Sequence, residues 1–388
     1  MAKLIRTTTA PLSLKYLLRN QMKYMKDSGF DVVMVSSEGK EKDDVIRNEQ
    51  CRYEIIPMTR KMTPLADLKS LWLFYRLLRK EKPGIVHSHT PKAGLIAMLA
   101  AKLAGVPVRI HTVAGLRFMT ARGFTRKLLV SMEKLTMSAA THVWPNSFSL
   151  KEYIQHNKLV RPSKLEVIGQ GSSNGIDLRR FSATMLKQDE LEKIKTLIGY
   201  DSNLLYLLSV GRIVKDKGID ELVHAFEELY RTNDSLRLIL VGAFEDELDP
   251  ISAAARKLIN EHPGIIKAGW NEQVEYFMHL SHLLIHPSHR EGFPNVLLQA
   301  GAMNCPIICS RIEGNIDIVT HEETGLIFEV KDQTQLVEMM KRAVQDPAQM
   351  KAYAGRLYDK VNNHFDQRVV HSRIEQRYRE ILNTSSND

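Results

Sequence analysis

The sequence predicts an α/β protein built from two doubly wound domains. Three observations carry this. The chain has 388 residues, more than one hydrophobic core usually serves. Short apolar runs alternate with helix-spaced segments, and they do so in two rounds. Such alternation implies parallel strands covered by helices on both faces. Between the rounds lies GQGSSNGIDLRRF, residues 169–181, rich in Gly, Ser and Asn and without periodicity, as a linker is.

In the first round, Leu4-Ile5 begins a strand, and DVVMVS at 31–36, then 85–87, 108–111 and 141–144, continue the series. Helix spacing covers 12–27, 64–80, 93–104 and 126–138. In the second round strands are expected at 204–210, 236–241, 265–267, 282–286 and 306–310, with helices at 218–230, 251–261, 273–280 and 294–303. Helices at 335–345 and 347–382 close the chain. The expected division is a first domain over 1–170, a linker over 171–181, a second domain over 182–364 and a final helix over 365–388.

Hydrophobic residues make up 44% and charged residues 26%, as in a water-soluble globular chain. No apolar run reaches the roughly 20 residues of a membrane span, and MAKLIRTTTA lacks the apolar core of a signal peptide. Three cysteines, an odd and sparse count, suit a reducing compartment without a disulfide framework. The net charge of +9 is uneven. Residues 1–175 hold 29 Lys and Arg against 13 Asp and Glu, or +16, which leaves −7 for the rest. An anionic partner for the first half is therefore expected: a membrane surface, a phosphorylated lipid or nucleic acid.

The chemistry concentrates in the second half. HPSHREGFPNVLLQAGAM runs from the expected 282–286 strand into a loop holding Arg290, Glu291 and Gly292, then a helix opened by Pro294. Proline fits a first helical position, and free N–H groups with the helix dipole favour a phosphate there. The Glu291 carboxylate suits sugar hydroxyls. Upstream, SVGRIVKDKGI places Arg212 and Lys217 on one loop after a strand. Cations aimed at a leaving diphosphate lower the barrier to its departure.

Both segments resemble the donor-site motifs of family-4 retaining glycosyltransferases. Gly211-Arg212 and Lys217-Gly218 match one motif. Glu291-Gly292-Phe293-Pro294-Asn295 through Gln299 matches the other, with Gln299 where the family has a second Glu; an amide offers one acceptor oxygen where a carboxylate offers two. Asn174-Gly175-Ile176-Asp177 before Phe181 matches the inter-domain segment, and the tract from His87 to Phe118 resembles bacterial members that build capsule, O-antigen or exopolysaccharide.

The resemblance implies the GT-B architecture, two Rossmann-like domains facing across a cleft, with the last helix returning to the first domain. It implies transfer with retention from a nucleotide-sugar donor, a UDP-sugar by preference, without metal or other cofactor. The acceptor would be a polyprenyl-diphosphate-linked saccharide on the cytoplasmic face of an anionic membrane. His111, Arg212, Lys217 and Glu291 would be catalytic. Thr8, Thr9, Gly211, Trp270 and residues 292–295 with Gln299 would join the donor site. His89, Arg117, Asn146 and Ser147 would face the acceptor.

Other readings are a nucleotide-sugar 2-epimerase of the same architecture, and a nucleic-acid-binding protein resting on the basic half, although no aromatic RNA-binding signature or zinc-finger spacing accompanies it. The histidines at 279, 282, 286 and 289 cross a helix end and a strand, whose side chains diverge, so no metal site is expected of them. Basic residues interleave with aromatics at 60–82 and 117–134. The first reads equally as a buried helix with a solvated face, the second as an exposed acceptor loop.

Overall fold

The computed structural model describes residues 1–385 except 60, 120 and 248, and of 117 and 385 the backbone alone. The chain divides into two units: Met1–Gly175 together with the segment from Gln367 onward, and Ile176–Asp366.

Unit 1 holds β1 (Lys3–Thr7), β2 (Asp31–Ser36), β3 (Arg52–Ile55), β4 (Ile85–Ser88), β5 (Val108–Val113) and β6 (His142–Pro145). They pair in parallel in the order β3-β2-β1-β4-β5-β6. Side chains alternate between faces, so Ile5, Val33 and Val86 join one core while Leu4, Val32 and Ile85 join another. The second core is completed by Val370, Ile374, Tyr378 and Ile381 of the last helix, Gln367–Ser385. Buried Arg6 anchors that helix by donating to the Tyr378 hydroxyl at 2.7 Å.

Unit 2 holds β7 (Leu205–Val210), β8 (Leu236–Val241), β9 (Ile265–Gly269), β10 (Leu283–His286), β11 (Ile307–Ser310) and β12 (Leu326–Phe328). Their order is β12-β11-β10-β7-β8-β9, again with an apolar cluster on each face.

Several expectations need correction. The helix expected over 12–27 is two, Pro11–Leu17 and Gln21–Asp27, broken where Asn20 takes a left-handed φ of 67°. The helix expected over 347–382 breaks at residues 365–366 into Pro347–His364 and Gln367–Ser385. Residues 171–175 fold with unit 1: Asn174 donates to Arg19 O at 3.0 Å and accepts from Gln21 Nε2 at 2.9 Å. The basic stretch at 117–134 is no loop, but a 3-10 turn, Arg117–Met119, and a helix, Gly123–Ala139. The stretch at 60–82, of which residue 60 lies outside the described residues, forms the helix Pro64–Glu81. It buries Phe74 and Leu78 but leaves other apolar residues out: Leu65 is 87% exposed, Leu68 64% and Trp72 53%. With Lys69, Tyr75 and Leu103 these line an open groove. Among the described residues no helix is long and apolar enough to cross a membrane.

Candidate functional site

In unit 2 two loops from neighbouring strands close on each other. The loop after β7 makes a 3-10 turn, Lys215–Lys217, and ends at Gly218 with φ 68°. A Cβ at Gly218 would lie 2.1 Å from the Pro287 carbonyl oxygen, so only glycine permits this approach. The loop after β10 is tied back: His289 N donates to Asp216 O at 2.9 Å and Arg290 Nη2 to Asp216 Oδ2 at 2.6 Å.

This closure brings Lys217 Nζ onto Glu291 Oε1, and His286 Nε2 lies 3.1 Å from the same oxygen. Burial pushes the Glu291 carboxyl up, but the Lys217 charge and then His286 outweigh it and hold the group well below the usual carboxylate range. Glu291 is therefore ionised at neutral pH. Arg212 is partly exposed and donates to Glu245 Oε2 at 2.7 Å. Gly211 lies where a Cβ on Gly242 would be 1.7 Å from its carbonyl oxygen, which presses the β7 and β8 exits together.

The helix after this loop is Asn295–Ala302, one residue shorter at each end than expected. Pro294 is its N-cap with ψ 112°, not its first helical residue. In its first turn Leu297 N donates to Pro294 O at 3.1 Å, which leaves the N–H groups of Asn295 and Val296 without an intrahelical carbonyl. Gln299 is half-buried on this helix, and its amide makes no hydrogen bond among the described residues. Gly292, Phe293 and Pro294 are buried. The Phe293 ring packs against Phe365 at 5.4 Å and belongs to the core. Trp270, after β9, is 61% exposed. The four histidines diverge: His282 Nδ1 accepts from Tyr206 N at 3.1 Å, His289 Nε2 lies 3.1 Å from Glu221 Oε1, His286 meets Glu291 and His279 is exposed.

In unit 1 the β4–β5 register sets Ser88 opposite His111, and Ser88 Oγ and His111 Nδ1 share a 2.8 Å hydrogen bond. Burial drives His111 down to about 4, against the Ser88 bond that raises it, so the ring is neutral at pH 7. Thr8 and Thr9 are spent inside the unit. Thr8 Oγ1 donates to Ala10 O at 2.9 Å, and Thr9 Oγ1 pairs with Thr90 Oγ1 at 2.8 Å. Both are buried, with their hydroxyls engaged inside the unit. Ser147 is likewise structural, its Oγ accepting from Leu150 N at 3.2 Å to cap the helix Phe148–His156. The side chain of Arg117 lies outside the described residues.

His89 and Asn146 come together. They line a small cavity of about 20 Å³ with His87, Thr112, Trp144 and Ser173. Both His89 ring nitrogens, Asn146 Oδ1, Trp144 Nε1 and Ser173 Oγ are buried without a hydrogen-bond partner among the described residues. His89, expected to face the acceptor, is 5% exposed and sits inside this cavity.

Sequence reasoning did not single out Glu245, Gly94 or Gly314. A Cβ at Gly314 would lie 2.3 Å from Gly292 O, a contact with no local signal. Glu245 follows a strand as Arg212 does, and exit loops of adjacent strands meet, which is the signal that was available.

Two doubly wound units, with an ionised Glu held by Lys and His at the strand ends of the second, define a GT-B glycosyltransferase. Residues 16–171 match the family profile "Glycosyl transferase 4-like domain", and residues 192–358 match "Glycosyl transferases group 1". The capsular polysaccharide biosynthesis glycosyltransferase CapM of Staphylococcus aureus is 34% identical over 369 residues, 95% of either chain. An Escherichia coli UDP-Gal:alpha-D-GlcNAc-diphosphoundecaprenol alpha-1,3-galactosyltransferase is 28% identical over 84% of this chain and 83% of its own. Among solved structures, Anabaena Alr3699/HepE in complex with UDP superposes with a TM-score of 0.79 at 16% identity, covering 98% of this chain and 100% of that one. The chain belongs to the family-4 glycosyltransferases, and its activity is glycosyl transfer.

Proposed function

We propose that the protein transfers a sugar from a UDP-sugar, with retention of configuration and without a divalent metal, to a polyprenyl-diphosphate-linked saccharide in surface-polysaccharide assembly. The observation that carries the reading is the meeting of Lys217 with Glu291, 74 residues apart. It joins a cation for the leaving diphosphate to an ionised acceptor for the sugar hydroxyls in one unit. Arg212, partnered by the partly exposed Glu245, exchanges that carboxylate for a phosphate, which an Arg grips bidentately. The S. aureus capsule enzyme and the E. coli enzyme, named for a diphosphoundecaprenol acceptor, support the acceptor class. The UDP in the Anabaena structure supports the nucleotide. Matches to glycosyltransferases favour transfer over 2-epimerisation.

The basic charge of the first half and the exposed Leu65, Leu68 and Trp72 beside Lys69 support an anionic membrane as the setting.

The test is a thermal-shift panel of UDP-, GDP- and TDP-sugars, since a ligand of the folded state raises its apparent stability. Transfer with the best donor is then measured with EDTA present, and the anomeric configuration of the product is read by NMR. Stabilisation by no UDP-sugar, strict dependence on added metal or an inverted product would each overturn the corresponding part.

A further inference from the structure

Lys217 and His286 both act on one oxygen of Glu291. Lys217 Nζ contacts Oε1, and His286 Nε2 lies 3.1 Å from Oε1. Among the described residues nothing hydrogen-bonds Oε2. A Glu carboxylate turns easily about its last torsion, which has only a broad preference. A single contact from the long, flexible Lys217 stem leaves that rotation open, and a second contact from a different direction closes it. His286 is suited to supply it. It is the last residue of β10, in register with Cys309 of β11, and is 5% exposed. Its Nε2 is sealed from solvent and has no partner of full hydrogen-bond geometry among the described residues, so its hold on Oε1 is the 3.1 Å polar contact itself. The next residue, Pro287, is pinned by the Gly218 approach, so the strand end that carries the ring is fixed.

We propose that His286 is a positioning residue: together with Lys217 it fixes Oε1 of Glu291 and so presents Oε2 as the hydrogen-bond acceptor for a hydroxyl of the transferred sugar. The proposal rests on the donor reading above. It assigns the two oxygens different tasks, one held by the protein and one kept for the ligand. UDP, which has no transferred sugar, should be indifferent to His286, whereas the step that needs the sugar aligned should not.

The experiment compares wild type, His286→Leu and His286→Gln. Titration calorimetry gives the affinity for UDP. The rate of sugar release at saturating donor is measured with whichever of UDP-glucose, UDP-galactose, UDP-GlcNAc and UDP-GalNAc stabilises the wild type most. Misplacement of a positioned group by about 1 Å costs on the order of 100-fold. The expected result for His286→Leu is therefore a rate roughly 10- to 100-fold lower, with UDP affinity within about twofold. His286→Gln, whose amide N–H can reach the carboxylate, recovers most of the rate. A His286→Leu rate within threefold of wild type would overturn the proposal. So would a loss of UDP affinity in step with the rate, or a Gln variant no better than Leu. A wild type that binds neither UDP nor any of the four donors overturns the donor reading itself, and the proposal with it, and is told apart by needing no variant.

Discussion

Gly94 leaves the space that the His111 ring fills: a Cβ at position 94 would lie 2.4 Å from His111 Cε1 and 2.8 Å from Nδ1. Gly94 is inside the helix Pro91–Leu103, so Gly94→Ala gains about 1 kcal/mol of helix propensity. It must also displace a buried ring bonded to Ser88, and overpacking a core costs about 1–3 kcal/mol. The expected outcome is a lower urea midpoint and a larger loss of transfer than the loss of folded protein explains. An unchanged or raised midpoint would mean that the ring steps aside.

Arg212→Ala and Lys217→Ala should each cost about 2–4 kcal/mol of transition-state stabilisation, as loss of a preorganised charge partner does. Their effects on stability should differ. Arg212→Ala leaves the partly exposed Glu245 to water, whereas Lys217→Ala strips the main partner from the Glu291 carboxylate and should lower the melting temperature. Transfer rates within tenfold of wild type would remove either residue from the donor site.

Gln299 stands where the motif has a carboxylate. Gln299→Glu should keep or tighten donor binding, because a carboxylate accepts from two hydroxyls at once. Glu291→Gln should reduce transfer far more, since a neutral amide also releases Lys217. Isothermal titration with donor and a transfer assay decide this; equal harmlessness of both substitutions would separate the segment from the site.

Burial holds His111 at about 4 and keeps His87 and His89 well below their ordinary value. Between pH 6.5 and 4 the unfolded chain binds protons that these folded rings refuse, so stability falls as pH drops through that window. His111 alone accounts for about 3 kcal/mol by pH 4. Burial also pushes Glu133 up to about 7. That group, like the buried Glu49, works the other way, gaining stability as pH falls, but His142 and His282 are also held down by burial and the lowered histidines outnumber the raised carboxyls. Urea midpoints should therefore be lower at pH 5 than at pH 7, and Glu133→Gln should steepen the decline. Equal midpoints at the two pH values would contradict this.

Wild-type protein should sediment with vesicles rich in acidic lipid and ignore neutral ones, with binding that weakens as salt screens charges beyond about 10 Å. Exposed Leu68 and Trp72 make Leu68→Ser with Trp72→Ser the sharper test, since charge reversal at Arg122, Arg126 and Lys127 alone would leave the apolar contribution. Retained vesicle binding in the double variant would clear the groove of this role.

Most strands buried on both faces were legible because continuous apolar runs are rare outside them, and β2 and β8 fell on their predicted bounds; β12, LIF, was missed because a buried run of three residues does not stand out. Strand β3, RYEI, was not legible, because an edge strand carries polar residues where a central one carries Val and Ile. The donor-side motifs were legible from residue types and spacing. What their cations touch was not, since Glu245 and Glu291 reach them only through strand order. The partners that Thr8, Thr9 and Ser147 find inside the unit were not legible, because a hydroxyl at a strand end serves the protein as readily as a ligand.

The last helix belongs to the unit that the first residues begin. Unit 1 is complete only when Tyr378, Ile374 and Ile381 are in place, and Ile176–Asp366 come between. A ribosome adds about 5–20 residues per second, so the first sheet waits on the order of 10–40 s with one apolar face incompletely covered while the second unit emerges and folds. The order of synthesis is thus the reverse of the order of completion: the unit translated later closes first. Nascent chains stalled before residue 367 should carry a protease-resistant second unit and a chaperone-bound first one.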